Sequence, residues 1–305
     1  MKILITGVTG FIGQNLLPQI SKEYPNVQVM TLNRDVEKAA IMYPVALYPN
    51  IVHISVSDKQ CIIDFDPEIV IHLAALNTSR NDSEIIKPLI DANIIFGIYL
   101  LDALSHCKSL KLFVNTGSFS EYRLNVRHAN SACLYAATKT AFKTFLAYYA
   151  DMCDFNYLTA VPYSVYGGNR TLKRMMDFLL ESMDSSIPVD MTLGEQVLDF
   201  IHIEDISSFY LHVIDNLSVF IDLDKGEEFY LGTGRGTSIH ELSVLMEQIS
   251  GKHCNINWGA CPYRVRDVMY AVAPIAKNVE LVGWKAHIDL KEGLVKLIDK
   301  YAKNK

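Results

Sequence analysis

The chain has 305 residues, half of them hydrophobic and a fifth charged, enough apolar content to bury a substantial core. A net charge of -6, with no run of Lys and Arg to offset it, excludes a nucleic-acid binder. No stretch approaches the roughly 20 apolar residues of a membrane span, and Gly7 interrupts the first apolar run before a signal sequence could form. The six cysteines form no CxxC pair and none has a His at zinc-finger spacing. Reduced thiols, no metal and a cytoplasmic location are therefore expected.

Short β-branched runs open the chain and alternate with helical patterns. Ile3–Thr6, Val27–Leu32, Ile51–Ile54, Ile69–Leu73, Leu112–Thr116 and Tyr157–Pro162 read as strands, and Gly13–Ser21, Pro88–Ser105 and Tyr135–Cys153 as helices. Alternation at this spacing predicts right-handed crossovers and an α/β fold, a Rossmann-type doubly wound parallel sheet. The rhythm changes after Tyr166. The remainder mixes strands (Asp199–Ile203, Glu228–Leu231) with helices near Leu172–Met183, Ile239–Gly251 and Leu290–Ala302, as in a smaller α+β lobe. The expected division is residues 1–165 and 166–305, with 205–217 running back onto the first domain.

Directly after the first strand, Thr6-Gly7-Val8-Thr9-Gly10-Phe11-Ile12-Gly13 sets glycines three apart. Gly7 suits a tight turn, Gly10 a close approach of backbone to pyrophosphate, and Gly13 the packing of helix on strand. The helix that follows offers N–H groups and a positive dipole end to phosphate, so Thr9, Phe11 and Ile12 join the expected dinucleotide site. The second strand ends at Asn33-Arg34-Asp35, where an acid for a ribose diol is usual in NAD sites. Asn33 cannot repel a 2′-phosphate and Arg34 can pair with one, so NADP is preferred and NAD stays possible, with Asp35 as the alternative diol ligand. Asp58, after the third strand, suits the adenine amino group or a turn cap. His72-Leu73-Ala74-Ala75 ends the fourth strand with small residues where the cofactor would lie.

Tyr135 and Lys139 are spaced i, i+4 at the start of a helix, which puts phenol and ammonium on one face. Carbonyl reduction needs a proton donor and alcohol oxidation needs its conjugate base. A free tyrosine titrates near 10, so a tyrosinate at neutral pH needs a field worth about 4 kcal/mol, which a nearby ammonium helps supply. In Asn115-Thr116-Gly117-Ser118, closing the fifth strand, a hydroxyl can hold the substrate oxygen; Ser118 is the first choice and Thr116 the second.

Together these motifs resemble the extended short-chain dehydrogenase/reductases, the nucleotide-sugar epimerase/dehydratase/reductase family. Asp91–Gly97 resembles its Asn-bearing helix, which marks Asn93 as a cofactor-site residue. Val161–Gly167 resembles the strand ending beside the nicotinamide, which adds Pro162 on the cofactor side and Tyr163 on the substrate side. Asp199–Asp205 resembles the segment DFI(Y/H)xxD, and Leu231–Gly234 a later glycine turn. The resemblance implies that the second lobe binds a nucleotide sugar, with Arg170, Arg264 and Arg266 as candidates for its diphosphate. It also implies a homodimer through Pro88–Ser105 and Tyr135–Cys153, although the apolar residues there could equally be core.

The departures from the family pattern matter as much. Dehydratases of the family carry Asp and Glu after the catalytic hydroxyl residue; here Phe119 and Ser120 stand there, beside the substrate, and Glu121 lies one residue too far along. Dehydration is thus disfavoured. The expected reaction is NADPH-dependent reduction of the C4 ketone of a CDP- or dTDP-linked deoxyhexose. The segments 115–122 and 262–269 resemble bacterial 4-keto-deoxyhexose 4-reductases of the abequose/paratose synthase type. An NAD-retaining nucleotide-sugar epimerase and a non-catalytic NADP-sensing protein are the alternatives.

Overall fold

A computed structural model describes residues 1–169 and 173–303. The chain divides into two compact units. The first comprises Met1–Glu121, Ser131–Val161 and Ser207–Phe229; the second comprises Tyr122–Asn130, Pro162–Ile206 and Tyr230–Lys305.

The first unit is built on strands β1 (Lys2–Thr6), β2 (Gln28–Asn33), β3 (Ile51–Ser55), β4 (Ile69–His72), β5 (Leu112–Thr116) and β6 (Asn156–Pro162). They run parallel in the order β6-β5-β4-β1-β2-β3, and the strand Glu227–Leu231 joins the sheet beside β6. The Rossmann-type expectation is thereby met. Every residue of β4 and β5 is buried, as central parallel strands covered on both faces require, while β3 at the edge exposes Val52. Order reverses between β1 and β4. Such a switch point opens a crevice at the carboxyl ends of the strands, where ligands bind in open α/β sheets.

Helices α1 (Phe11–Glu23), α2 (Val36–Met42), α3 (Lys59–Phe65), α4 (Ser83–Ile90), α5 (Phe96–Leu104) and α6 (Leu134–Cys153) connect the strands. The run expected as one helix over Pro88–Ser105 begins earlier, at Ser83, with Pro88 inside α4. It continues through a π-helical turn, Asp91–Ile95, before α5. Such wide turns are frequent at functional sites, and this one carries Asn93. In α6 the buried residues Tyr135, Lys139, Phe142, Leu146 and Ala150 recur at helical spacing. Gly97 lets α5 close on α6, because a Cβ there would lie 2.3 Å from the Phe142 ring. Phe142 and Leu146 belong to a core with Leu4, Val70, Leu101 and Phe113.

The second unit has its own core, in which Tyr166, Leu179, Phe200, Leu242, Met246 and Leu294 are buried together. Its strands are short: Ser164–Tyr166 pairs with Phe200–His202, and Val189–Met191 with Ile256–Trp258. The helix expected near Leu172–Met183 runs over Met175–Ser182. Asp199, wholly buried, joins two sequence markers. It accepts the Thr233 N–H (2.8 Å) and hydroxyl (2.7 Å) at one oxygen, and the Gly234 (2.8 Å) and Ala273 (3.1 Å) N–H groups at the other. A Cβ on Gly232 would fall 2.5 Å from that carboxylate, so the glycine turn is shaped around it.

Replacing Asp199 by Ala would strand three backbone donors in a dry interior. We expect a loss of about 3 kcal/mol or more, read by urea denaturation.

Candidate functional site

Where β1 ends, Gly7 turns the chain at φ +72, and a Cβ on it would meet Ala74 N at 2.5 Å and Leu73 C at 2.7 Å. Gly13 is held by its neighbours too, 2.3 Å from Gly7 O by the same measure. Gly10 differs. It is exposed, and a Cβ on it would press on Gly7 O at 3.1 Å, a milder crowding than at Gly7 or Gly13. A bare backbone at the start of α1, with no side-chain cap and no acid in the first turn, fits a bound diphosphate. Thr9, Phe11 and Ile12 are half-buried around it. Thr6 Oγ1 pairs with His72 Nδ1 at 3.0 Å and accepts the Ala74 N–H at 3.1 Å, which locks the ends of β1 and β4 together and places Leu73, Ala74 and Ala75 beside the turn.

At the end of β2, Asn33 is buried and its amide donates back to Thr31, to the carbonyl at 3.0 Å and the hydroxyl at 2.8 Å. Asp35 caps α2 by accepting the Lys38 N–H at 2.8 Å, a role that competes with binding a diol. Arg34, between them, is exposed. Asp58 is exposed at the start of α3, and its side chain makes no capping bond.

Tyr135 sits in the first turn of α6, packed with Ile85 and Leu89. Lys139, one turn on, is only 3% exposed. Burial pulls its ammonium down to about 8, and the negative charge of Glu121 works against that fall. His72 is pushed down to about 3 by burial and by Lys139, so it stays neutral across physiological pH. Asn93, expected at the cofactor, is 2% exposed and spends its amide on protein groups. It exchanges hydrogen bonds with the Leu76 backbone (2.7 and 3.2 Å) and donates to Thr138 Oγ1 (2.9 Å), between Tyr135 and Lys139. It therefore ties the loop after β4 to α6 rather than presenting free donors.

The two candidate hydroxyls part company. Thr116 Oγ1 is buried and bonded to Tyr210 OH at 2.7 Å. Ser118 is half-buried, and its hydroxyl meets Ser120 Oγ at 2.8 Å on the short turn Phe119–Glu121. Glu121, set aside on the sequence as misplaced for acid catalysis, is 0% exposed. It accepts from Ser118 N–H at 2.8 Å and Thr140 Oγ1 at 2.9 Å, and pairs with Lys143 at 3.0 Å. Its signal in the sequence was only a lone charge following the uncharged run 112–120.

In the second unit, Pro162 and Tyr163 are buried, and Tyr163 N–H donates to Leu231 O at 3.0 Å. Arg264 and Arg266 are exposed. Arg266 donates to Asn130 Oδ1 at 3.1 Å, and so does Arg123, also at 3.1 Å. Arg123 was not singled out on the sequence, because the loop that brings it to Arg266 has no periodic signal. Arg170 lies outside the described residues. Among the described residues no helix is long and apolar enough to cross a membrane, and all six cysteines are unpaired.

The chain is 28% identical to the CDP-abequose synthase of Salmonella typhimurium over 97% of both chains. It is 25% identical to the CDP-paratose 2-epimerase of Salmonella typhi over 98% of both. The fold superposes on a UDP-glucuronic acid 4-epimerase from Bacillus cereus, in complex with a UDP-sugar and NAD, with TM-score 0.87 at 22% identity and full coverage of both chains. The description "NAD dependent epimerase/dehydratase family" matches residues 3–225. The chain belongs to that family, and it is an NAD(P)-dependent enzyme of the extended short-chain dehydrogenase/reductase type.

Proposed function

We propose that the enzyme reduces the C4 ketone of a CDP- or dTDP-linked deoxyhexose, with NADPH as reductant. The observation that carries this reading is the state of the only acid in the catalytic turn, Glu121. Its carboxylate is fully buried and held by Ser118, Thr140 and Lys143, which leaves no acid or base there for eliminating water. Similarity along nearly the whole chain to CDP-abequose synthases supports a deoxysugar substrate.

When bound, the nicotinamide supplies the hydride to the carbonyl carbon. Tyr135 gives its phenolic proton to the carbonyl oxygen, and Ser118 Oγ holds that oxygen by a hydrogen bond. The tyrosinate left behind is stabilised by the Lys139 ammonium one helical turn away, then takes a proton from water. Ser118 is preferred to Thr116 because the Thr116 hydroxyl is committed to Tyr210. Arg34 takes the 2′-phosphate, while Asp35 remains on α2. Arg264 and Arg266 bind the sugar diphosphate, with Arg123 beside them at Asn130. The free thiols suit a cytoplasmic enzyme.

One observation favours a second reading. The family description and the solved relatives name NAD and epimerases, and an epimerase would keep NAD bound and return the hydride to the other face of the sugar.

The assembly we propose is a homodimer. Beside its buried face, α6 exposes Phe145, Tyr148 (64%) and Met152, and the neighbouring α5 exposes Tyr99 (69%). An apolar patch on two adjacent helices is suited to the same patch on a second copy.

Tyr135→Phe should lower kcat by about a hundredfold or more while NADPH binding is kept, read by 340 nm absorbance with CDP- and dTDP-4-keto sugars. NAD copurifying with the protein, and no NADPH consumed, would move the assignment to the epimerase. Arg34→Ser should weaken NADPH about tenfold or more and leave NADH nearly unchanged in fluorescence titrations. Tyr99→Glu with Tyr148→Glu should convert the dimer to a monomer in light scattering, with the thermal melt of the unit preserved.

A further inference from the structure

The buried acid of the catalytic turn belongs to a connected set of groups in the first unit. Glu121 Oε1 receives the Ser118 N–H at 2.8 Å. Its Oε2 receives the Thr140 hydroxyl at 2.9 Å and the Lys143 ammonium at 3.0 Å, both from α6. Lys143 in turn reaches Glu228 Oε1 at 2.7 Å on the strand Glu227–Leu231. Room for the carboxylate is left by Gly117, where a Cβ would lie 2.8 Å from Glu121 Oε1. Thr140 follows Lys139 directly, and Lys143 lies one turn further along the same helix.

We propose that Glu121 is a positioning residue that fastens the Ser118 turn to the helix carrying Tyr135 and Lys139. Ser118 and Tyr135 must converge on one carbonyl oxygen, yet they stand on elements separated by the loop 122–133. A single carboxylate with three donors fixes the distance between the two elements more tightly than apolar packing, because hydrogen bonds are directional. The charges that face Glu121 are Lys139 and Lys143 on α6, with Glu228 behind Lys143. Two cations thus face two anions, and Lys143 and Glu228 at the outer end keep partial exposure, 19% and 21%. Burial drags Lys143 down, but Glu121 and Glu228 more than restore it, and its charge is held. Glu121 also props up the ammonium of Lys139, which burial would otherwise lower further.

The inference rests on the catalytic roles proposed for Ser118, Tyr135 and Lys139, so its test has one readout independent of turnover. In protein labelled with 13C at lysine Cε, the resonance that vanishes in Lys139→Arg reports the Lys139 titration. Lys139 loses its proton as pH rises through about 8. With the Glu121 charge removed, that loss must come at lower pH, because an anion favours the protonated form. Glu121→Gln should therefore move the titration down, shift the alkaline fall of kcat the same way, and lower kcat about tenfold to a hundredfold with the KM for NADPH held. Glu121→Asp keeps the charge but withdraws the oxygens, and should lose kcat about tenfold while Lys139 titrates as in the parent. If Glu121→Gln does not fold, the Asp variant decides alone. A folded Gln or Asp variant with kcat within about twofold of the parent overturns the proposal. Activity lost only in proportion to the folded fraction, with Lys139 unmoved in the Gln variant, overturns it too. Should the parent reduce no keto sugar while the titration shifts as described, Glu121 keeps its role and the proposed reaction falls.

Discussion

A carboxylate with no exposure to water costs several kcal/mol unless donors replace its hydration, and Glu121 has them on every side. That requirement reaches outward. Ser118 must turn its N–H inward, Gly117 must remain without a side chain, and α6 must present Thr140 and Lys143 on one face. Once α6 stands there, Tyr135 and Lys139 follow, since they are buried residues of the same helix, two turns and one turn before Lys143. Asn93 secures the same helix from the other side through Thr138.

The glycine turn after β1 obeys a different constraint, which is distance. Two glycines let the β1 turn, α1 and the end of β4 approach more closely than any Cβ allows, and Thr6 bonds across the switch point to His72 and Ala74. The third glycine is less crowded, with Gly7 O 3.1 Å from where a Cβ would stand. Its bareness makes sense as space for a ligand, and the uncapped start of α1 points the same way.

Burial also shapes the chemistry of the cations. Lys139 sits in a dry environment that lowers its affinity for the proton, with Glu121 as counterweight. An ammonium poised near physiological pH responds strongly to the charges around it.

Much of the fold was legible in the sequence. Six strands and the helices α1 and α6 could be placed within a few residues, because parallel strands covered on both faces are continuous apolar runs and α6 is amphipathic. The glycine motif was equally plain. The short strands of the second unit were less so, since pairs of two or three residues carry no period. The π-turn at Asp91–Ile95 left no mark, because a local widening of a helical turn has no composition of its own.

What the sequence by itself determined was the set of chemical groups: a glycine turn after a first strand, a Tyr and a Lys one helical turn apart, a hydroxyl at the end of the fifth strand. Spacing along one element is preserved on folding, so local motifs survive translation into structure. Tertiary structure alone decided which groups were spent on the protein. Thr116 went to Tyr210, Asn93 to Leu76 and Thr138, Asp35 to α2, and Glu121 to the join between the Ser118 turn and α6. Such partners lie far apart in the chain or across a turn, and a hydrogen bond depends on ångström distances that no spacing in sequence encodes.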